Sequence, residues 1–418
     1  MGHLVGKNLY RRLGRKIDNL TVRAPWNKTF YSILKELYTP DEAEVSIKFP
    51  YGICDFDQVL RATGYDSSKL QRIIDSLCVK GLVMDFWING NYRYMLSPLI
   101  IGIFEFTMMR TGEGLNTREM AVLFYEYLHD NKQFYGRNFG KGMKVSPLRA
   151  IPHEDAIDDT GQVEILDYEK ASAIIDDVNE FAVGICSCRH EKLHAGVKKC
   201  DTPLETCTTL GPATEYMNRH GFARPVSKSE LLENLARYRE MGLVISADNV
   251  RKDVSFFCFC CGCCCNVLLG VSRLGYPNAL VTSSFIARNN SELCSECGTC
   301  AESCPIDAIS ISADGRPSVN AEFCLGCGVC AVKCPSGAMR LTKRSQRVLH
   351  PENTFQRVIL QSLERGTLQN LLFTDIGRID HKFMRVFVGA FLKLPPVKRG
   401  LMSENLRSSF LHFMEKGP

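Results

Sequence analysis

The sequence predicts a multidomain protein of the α+β class, and three observations support this prediction. The chain has 418 residues, which exceeds the length of one ordinary domain. Its N-terminal part combines helical periodicity with a hairpin signal, as a small domain of helices and two strands would. All but two of its 20 cysteines lie between Cys186 and Cys334, in clusters that indicate separate cysteine-rich domains.

Composition and charge limit which cellular compartment and which binding partners we expect for the protein. Hydrophobic residues make up 45% of the chain, which is enough to build real cores, and the net charge of +5 is too small to indicate nucleic-acid binding by itself. Cysteines that cluster at metal-ligand spacing in a long chain are typical of a reducing compartment. The N-terminus has no apolar run of the signal-peptide type and no stretch has the length of a membrane span, so we expect a soluble, cytoplasmic protein.

Residues 1–110 are expected to form a basic helix followed by a small domain. The basic helix, Met1–Trp26, places apolar residues at helical spacing among lysines and arginines. Such a helix can lie on membrane lipid or nucleic acid, or it can pack on a neighbour with a solvated charged face. Charge runs of this size are usually solvated, which favours the packed alternative.

The domain that follows, Thr29–Met109, has the order helix, helix, helix, hairpin. Asp66 caps the third helix, Gly81 ends it, and Asn89-Gly90 is a strong hairpin signal. This order resembles the winged helix-turn-helix of many DNA-binding regulators. The predicted elements are a helix over Phe30–Leu37, a helix over Asp55–Ala62, the third helix, and the strands Leu82–Ile88 and Tyr92–Leu96.

The charges of the predicted third helix do not favour DNA binding. Its basic residues Lys69 and Arg72 are accompanied by the acidic residues Asp66 and Asp75. A helix that lies on phosphates normally carries a clear basic excess. We therefore favour a winged helix that acts as a docking or spacer module.

Residues 111–180 are interpreted as a connector that packs on the cysteine-rich region. They contain a predicted helix, Thr117–His129, and a polar cluster around His153. A single histidine beside acidic residues is more often structural than catalytic. We assign no catalytic residue in this chain.

A cysteine run that occurs twice is the strongest motif in the chain. Each copy has three cysteines with two residues between them, then a fourth after three more residues, and a proline. Three thiolates on one tight loop can cap three corners of a cubane, and the fourth cysteine is too distant to close the same cube. A zinc site needs only four cysteines and would not account for the doubled run. The two copies, thirty residues apart, are Cys294, Cys297, Cys300, Cys304 and Pro305, and Cys324, Cys327, Cys330, Cys334 and Pro335.

Residues 290–343 closely resemble the two-cluster bacterial ferredoxin domain, and we assign residues 286–346 to that domain. The resemblance implies two [4Fe–4S] clusters, with the fourth cysteine of each run ligating the cluster of the other run. Gly298 and Gly328 would keep the loops free of a β-carbon where backbone N–H groups approach sulfide. One cluster is then assigned to Cys294, Cys297, Cys300 and Cys334, and the other to Cys324, Cys327, Cys330 and Cys304.

Residues 181–285 hold ten further cysteines. Phe181–Ile185 is predicted as a strand that delivers Cys186 and Cys188, whose thiols would share one face. Vicinal cysteines form disulfides poorly and crowded thiols are reactive, so thiolate ligation of iron accounts for them best. We expect one or two further iron–sulfur clusters, of open type, on Cys186, Cys188, Cys200, Cys207, Cys258, Cys260, Cys261, Cys263, Cys264 and Cys265.

Three local features of this region carry further expectations. Cys200 and Cys207 should lie in one loop, and the chain should fold back at Gly262, because glycine permits a tight turn. Arg189, His190 and Lys199 either supply positive charge or hydrogen bonds that raise a cluster's potential or are ordinary surface charges.

The tail, residues 347–418, is predicted to be helical and basic. Thr354 is expected to cap its first helix, and Leu394-Pro395-Pro396 should end a later one. The basic side chains either attract an acidic redox partner or form a solvated face over packed helices, and we favour the solvated face.

The layout of residues 181–345 resembles large iron–sulfur electron-transfer proteins of anaerobic bacteria, in which similar cysteine segments precede a double ferredoxin module. This resemblance implies an electron carrier, such as a subunit or adaptor of an anaerobic oxidoreductase, with a redox partner protein. Two alternatives are a redox-sensing winged-helix transcription regulator and a reductase whose cysteine-rich centre binds substrate. The chain shows neither a phosphate-binding lysine motif nor a well-placed dinucleotide glycine fingerprint, so we expect neither ATP nor NAD.

Overall fold

The computed structural model describes residues 2–111, 114–130, 132–158, 165–345, 348 and 350–416. The chain divides into two compact units, of which one comprises residues 1–138 and 358–418 and the other residues 139–357. Helices and small sheets both occur, which is consistent with the predicted α+β multidomain class. No helix among these residues is long and apolar enough to cross a membrane.

The N-terminal part of the first unit consists of helices and one hairpin. The predicted basic helix is present as α1, but it ends at Asp18 and does not extend to Trp26. The buried side chains of Leu13 and Ile17 face its neighbours, while Arg11 and Arg12 are exposed. The elements are α1 (Gly2–Asp18), α2 (Lys28–Leu37), α3 (Pro40–Lys48), α4 (Phe56–Thr63), α5 (Ser67–Val79), β1 (Val83–Ile88), β2 (Asn91–Leu96), α6 (Phe104–Met109), α7 (Thr117–His129) and α8 (Gln133–Phe139).

Local sequence signals explain several of these boundaries. The Asp66 side chain accepts a hydrogen bond from the backbone N–H of Lys69 and so begins α5. Asn89 and Gly90 both have positive φ, as a two-residue hairpin turn between twisted strands requires. Helix α3 was not predicted, although Thr39 and Glu42 form a complete capping box at its start.

The second unit is built on a six-stranded antiparallel sheet with the strand order β3-β7-β8-β5-β4-β6. Strand β3 comes from the predicted connector, which therefore shares a sheet with the cysteine-rich region. The elements are β3 (Leu148–Ile151), α9 (Ala171–Asp176), β4 (Phe181–Ile185), α10 (Ser187–His194), β5 (Glu205–Leu210), α11 (Ala213–Arg219), β6 (Ala223–Pro225), α12 (Lys228–Glu240), β7 (Val244–Asp248), β8 (Phe256–Cys260) and α13 (Asn266–Ser272).

Two small antiparallel sheets follow in the same unit, and they frame the doubled cysteine run. Strand β9 pairs with β12, and β10 pairs with β11. The elements are β9 (Phe285–Asn289), α14 (Thr299–Glu302), β10 (Ile309–Ile311), β11 (Pro317–Val319), α15 (Val329–Val332) and β12 (Met339–Lys343).

The C-terminal residues are helical, as predicted. The cap of the first helix is Asn353 and not Thr354, because the Asn353 side chain accepts from the backbone N–H of Gln356 at 3.0 Å and Thr354 already lies inside the helix. The break at Pro395 is confirmed, since one helix ends at Leu392 and the next begins at this proline. The helices are α16 (Thr354–Arg365), α17 (Leu368–Leu372), α18 (Ile379–Leu392), α19 (Pro395–Leu401) and α20 (Glu404–Lys416).

Candidate metal centres

The doubled cysteine run folds into two loops of the same conformation. Each run passes through an open loop into a single helical turn, α14 or α15, and then into a strand. Left-handed backbone recurs at the same places in both copies, thirty residues apart. The matched positions are Glu296 and Gly326, Gly298 and Gly328, and Asp307 and Gly337.

Gly298 and Gly328 are needed first for their backbone conformation. Their φ values are +77° and +85°, and each forms the N-cap of a helical turn. At Gly328 a β-carbon would also lie 2.7 Å from the Cβ of Ala156, whereas at Gly298 no protein atom lies within 4 Å of that position. Both loops therefore require glycine for their backbone conformation. The loop of Gly328 also requires it because a β-carbon there would collide with Ala156.

The two loops enclose two recesses, and each recess is lined by cysteines from both runs. We call them the outer and the inner recess according to the exposure of their cysteines. The outer recess is lined by Cys294, Cys297, Cys300 and Cys334, and the inner recess by Cys304, Cys324, Cys327 and Cys330.

The crossing that the ferredoxin resemblance implied is thus present in the fold. Cys304 leaves its own run to line the inner recess, and Cys334 leaves its run to line the outer one. The thiol of Cys304 accepts a hydrogen bond from the backbone N–H of Ala308 at 3.2 Å. The thiol of Cys334 accepts one from Met339 at 3.4 Å. Such N–H···S bonds stabilise the thiolate form and tune the potential of a bound cluster.

The two recesses differ in exposure and in the acidity of their thiols. Cys297 of the outer recess is exposed, whereas three of the four inner cysteines are buried. Burial raises the pKa of Cys327 to about 12 and also raises the pKa of Cys330. In the outer recess, the pKa of Cys297 is lowered by hydrogen bonds from the hydroxyl and backbone of Thr299. Thiolates in the inner recess therefore need a compensating cation.

The donor sets of both recesses fit an iron–sulfur cluster. Each recess offers four sulfur ligands, and soft thiolates select iron–sulfur clusters among biological metal groups. The inner recess is otherwise lined by apolar side chains such as Ile306, Leu325 and Leu341. The four cysteines of each recess would hold one [4Fe–4S] group. When bound, that group supplies reversible uptake and release of one electron.

His153 has a structural position next to the inner recess. Its backbone N–H donates to the carbonyl of Cys327 at 2.9 Å, and its ring hydrogen-bonds the carbonyl of Leu243 at 2.9 Å. This buried residue therefore ties the second cysteine run to the large sheet.

The large sheet separates an apolar core on one face from thiols on the other. Along β8, Phe257 and Phe259 point into the core, so the alternation of a strand directs Cys258 and Cys260 to the opposite face. Cys207 on β5 pairs directly with Cys258. Strand β8 was not predicted, although its alternation of phenylalanine and cysteine is a period-two signal.

Two expectations for this region are corrected. The strand β4 ends at Ile185, so Cys186 is the N-cap of α10 and Cys188 lies in its first turn, and the two cysteines do not occupy a strand. Cys207 lies on β5 and not in the same loop as Cys200. In both cases pairing with an adjacent strand decides where the strand begins or ends. The residues of that adjacent strand are distant in sequence, so spacing alone could not reveal the boundary.

Six cysteines of this region form one connected set, which we call the six-thiol group. Its members come from α10, β5, β8 and the start of α13, and neighbouring members are close enough to shift one another's pKa. Interactions with Cys258 and Cys265 lower the pKa of Cys260 to about 6. The connected pairs are Cys186 and Cys188, Cys188 and Cys265, Cys265 and Cys260, Cys260 and Cys258, and Cys258 and Cys207.

The other four cysteines form a separate set, which we call the cysteine tetrad. One member comes from the loop before β5 and three from the loop after β8. All four sulfur atoms lie within 4.8 Å of one another, and none is in a disulfide. The sulfur–sulfur separations are 3.6 Å from Cys200 to Cys261, 3.8 Å from Cys200 to Cys264, 3.8 Å from Cys261 to Cys263, and 3.4 Å from Cys263 to Cys264.

Arg189 is a buried cation between these two sets and not a surface charge. Its guanidinium donates to the Thr206 hydroxyl and to the Phe259 carbonyl. Burial lowers its pKa, but the neighbouring Cys186 and Cys261 outweigh that effect and raise it. A permanent positive charge at this point stabilises thiolates on both sides.

A buried polar network, missed in the sequence, fixes the two helices that carry cysteines of the six-thiol group. Lys192 on α10 pairs with Glu191 at 2.8 Å and donates to the side-chain oxygen of Asn266 on α13 at 2.7 Å. Asn266 donates in turn to Glu191 at 2.7 Å. The network joins the helix of Cys188 to the helix that starts after Cys265.

The loop of the tetrad touches the loop of the inner recess. A β-carbon on Gly262 would overlap the carbonyl oxygen of Pro305, the residue after Cys304. The chain does turn here, but Gly262 does not adopt the left-handed conformation, so the turn is not the reason for glycine. The reason is the close approach of two backbones.

The comparisons with known proteins identify one part of the chain. Residues 293–338 match the family model described as a 4Fe-4S dicluster domain. No curated protein and no solved structure matches the chain. The match contains all eight cysteines of the two recesses, so this part is an iron–sulfur, ferredoxin-like domain that binds 4Fe-4S groups, which indicates iron–sulfur electron transfer.

Proposed function

From the 4Fe-4S dicluster domain at residues 293–338, we propose that the protein transfers single electrons through two [4Fe–4S] clusters, one in each recess. The observation that carries this proposal is the crossing of Cys304 and Cys334 between the two recesses. A zinc site or a disulfide would not require each run to complete the other. The protein contributes ligands, burial and partner surfaces.

The outer recess is the point at which a redox partner exchanges electrons. Cys297 is exposed there, and electron transfer requires a partner to approach one cluster closely. The inner recess is shielded by apolar side chains, which suits a relay inside the protein. This division of roles follows from exposure alone.

The six-thiol group binds a further iron–sulfur cluster. Thiols at this density are stable in a reducing compartment mainly as metal ligands, and Arg189 offsets their negative charge. The contact between Gly262 and Pro305 supports an electron path from the inner recess toward this group. The electron order is then outer recess, inner recess, six-thiol group, or the reverse.

Residues 29–109, which we call the N-terminal module, act as a winged-helix docking element and do not read DNA. Lys69 forms an ion pair with Asp41 at 2.9 Å, and Lys80, which caps the end of α5, pairs with Glu42 at 2.8 Å. Cations that are paired within the module have less charge to offer to phosphates. The expected partner is a subunit of an anaerobic oxidoreductase, and the regulator alternative gains no support from these pairs.

Metal analysis of the full-length protein, purified without oxygen, tests the proposal. Two [4Fe–4S] clusters account for about eight iron atoms and about eight sulfides per chain, and the six-thiol group should add more. After chemical reduction, electron paramagnetic resonance should show interacting reduced clusters. Cys54→Ser is the control, because this buried cysteine lies outside all four sets and should leave the iron content unchanged. About four iron atoms in all, or zinc without iron, contradicts the proposal.

A further inference from the structure

The cysteine tetrad has the dimensions of a site for one metal ion. An ion with metal–sulfur bonds of about 2.3 Å and tetrahedral geometry holds its sulfurs about 3.8 Å apart. Four of the six sulfur separations lie between 3.4 and 3.8 Å, and the other two are within 4.8 Å. The four sulfurs are therefore close enough together for a single ion to contact all of them.

The same separations do not suit a cubane cluster. The cysteines of a [4Fe–4S] cluster bind four different irons at the outer corners of a cube, so their sulfurs are farther apart than sulfurs that share one ion. Cys263 and Cys264 are adjacent in sequence, and their sulfurs are 3.4 Å apart. The tetrad also shares no cysteine with the six-thiol group or with the recesses.

The position of the tetrad indicates what an ion would do there. Cys200 lies in the segment between the end of α10 and the start of β5, which contains no helix or strand. An ion would join this segment to the loop after β8. Four thiolates around a divalent ion leave two net negative charges, and Arg189 is placed to offset part of them, because it hydrogen-bonds the thiol of Cys261.

We propose that Cys200, Cys261, Cys263 and Cys264 bind a single tetrahedral metal ion that cross-links these two segments. Tetrahedral sites of four thiolates select zinc or iron, and Zn²⁺ is the expected occupant because it fills structural sites of this kind. The ion is separate from the electron-transfer clusters.

The experiment measures zinc, iron and acid-labile sulfide in the full-length protein and in two variants, Cys200→Ser and Cys263→Ser. Each variant should lose about one metal atom per chain and no sulfide, because the site holds one ion without inorganic sulfide. Loss of zinc identifies a zinc site, and loss of one iron atom identifies a mononuclear iron site. Cys54→Ser is again the control. It should lose no metal, because Cys54 lies outside both recesses, the six-thiol group and the tetrad.

Two outcomes would overturn the proposal. Loss of about four iron atoms together with sulfide would assign the tetrad to a cluster. Unchanged zinc, iron and sulfide in both variants would show that these cysteines bind no metal. Retained iron in the recesses shows that a variant has folded. X-ray absorption at the zinc edge of the unmodified protein is a second test. We expect four sulfur neighbours at about 2.3 Å, whereas nitrogen or oxygen neighbours would refute the site.

Discussion

Gly262→Ala tests the contact between the tetrad loop and the inner recess. A β-carbon at position 262 would overlap the carbonyl oxygen of Pro305 and lie 3.0 Å from its carbonyl carbon. Carbon atoms in contact normally stay about 3.5–4.0 Å apart, so one backbone must move by about 0.5–1 Å. The atoms that it meets belong to the backbone and cannot turn aside as a flexible side chain would.

The expected loss of stability combines two opposing effects. Overpacking of this kind costs about 1–3 kcal/mol. Since Gly262 does not use left-handed backbone, alanine also restricts the unfolded chain and recovers about 0.4–1 kcal/mol. The free energy of unfolding should therefore fall by about 1–2 kcal/mol, which lowers the thermal midpoint of a unit of this size by about 2–8 °C.

Displacement of Pro305 should also disturb electron passage, because Cys304 precedes it. The assay follows anaerobic thermal unfolding by circular dichroism and the rate at which the six-thiol centre is reduced through the recesses. Gly275→Ala is the matched control, since its φ is +77° and no atom lies within 4 Å of the new β-carbon. It should lose stability through backbone strain but keep the reduction rate. If Gly262→Ala retains both the wild-type midpoint and the wild-type rate, the two loops do not pack as described.

Three further predictions concern other parts of the molecule. Cys304→Ser should damage the cluster of the inner recess and leave that of the outer recess, which electron paramagnetic resonance of the reduced protein can distinguish; damage confined to the outer recess contradicts the crossing. Lys192→Met leaves Glu191 buried without its cation and should cost about 3–5 kcal/mol in chemical unfolding, whereas Lys252→Met at an exposed pair should have no measurable effect. The N-terminal module should bind genomic DNA fragments weakly or not at all in gel shifts at physiological salt, because lysines of the module are paired internally; tight sequence-specific binding that changes on cluster oxidation would instead support a regulator.

The recesses could be predicted because their information is local. The spacing within each run sets the loop, and the repeat after thirty residues reveals that there are two loops. Even the crossing of Cys304 follows from the length of chain between it and Cys300. The structure adds the left-handed positions, two of which carry Glu296 and Asp307 instead of glycine and could not be identified from residue type.

The cysteine-rich region was harder to predict because its arrangement depends on distant strands. Which thiols meet is decided by the pairing of β5 with β8, residues far apart in sequence, and by the network around Lys192 that joins α10 to α13. Spacing alone could not divide ten cysteines into a group of six and a group of four. The one local signal was the alternation in β8, where Phe257 and Phe259 mark the core face and leave Cys258 and Cys260 on the other.

The division of the sheet into two faces has a consequence for folding. On the core face, apolar side chains such as Phe257 and Phe259 are buried with residues of α9 and α12 and stabilise the sheet without metal. On the other face, the six thiols and Arg189 are polarisable or charged, and their burial brings little hydrophobic gain. Metal binding can supply the missing free energy. The thiolate ligands are brought together only in the folded state, so the free energy of metal binding adds to the stability of that state. Residues 181–285 should therefore depend on metal for stability, while the helices of the N-terminal module should not.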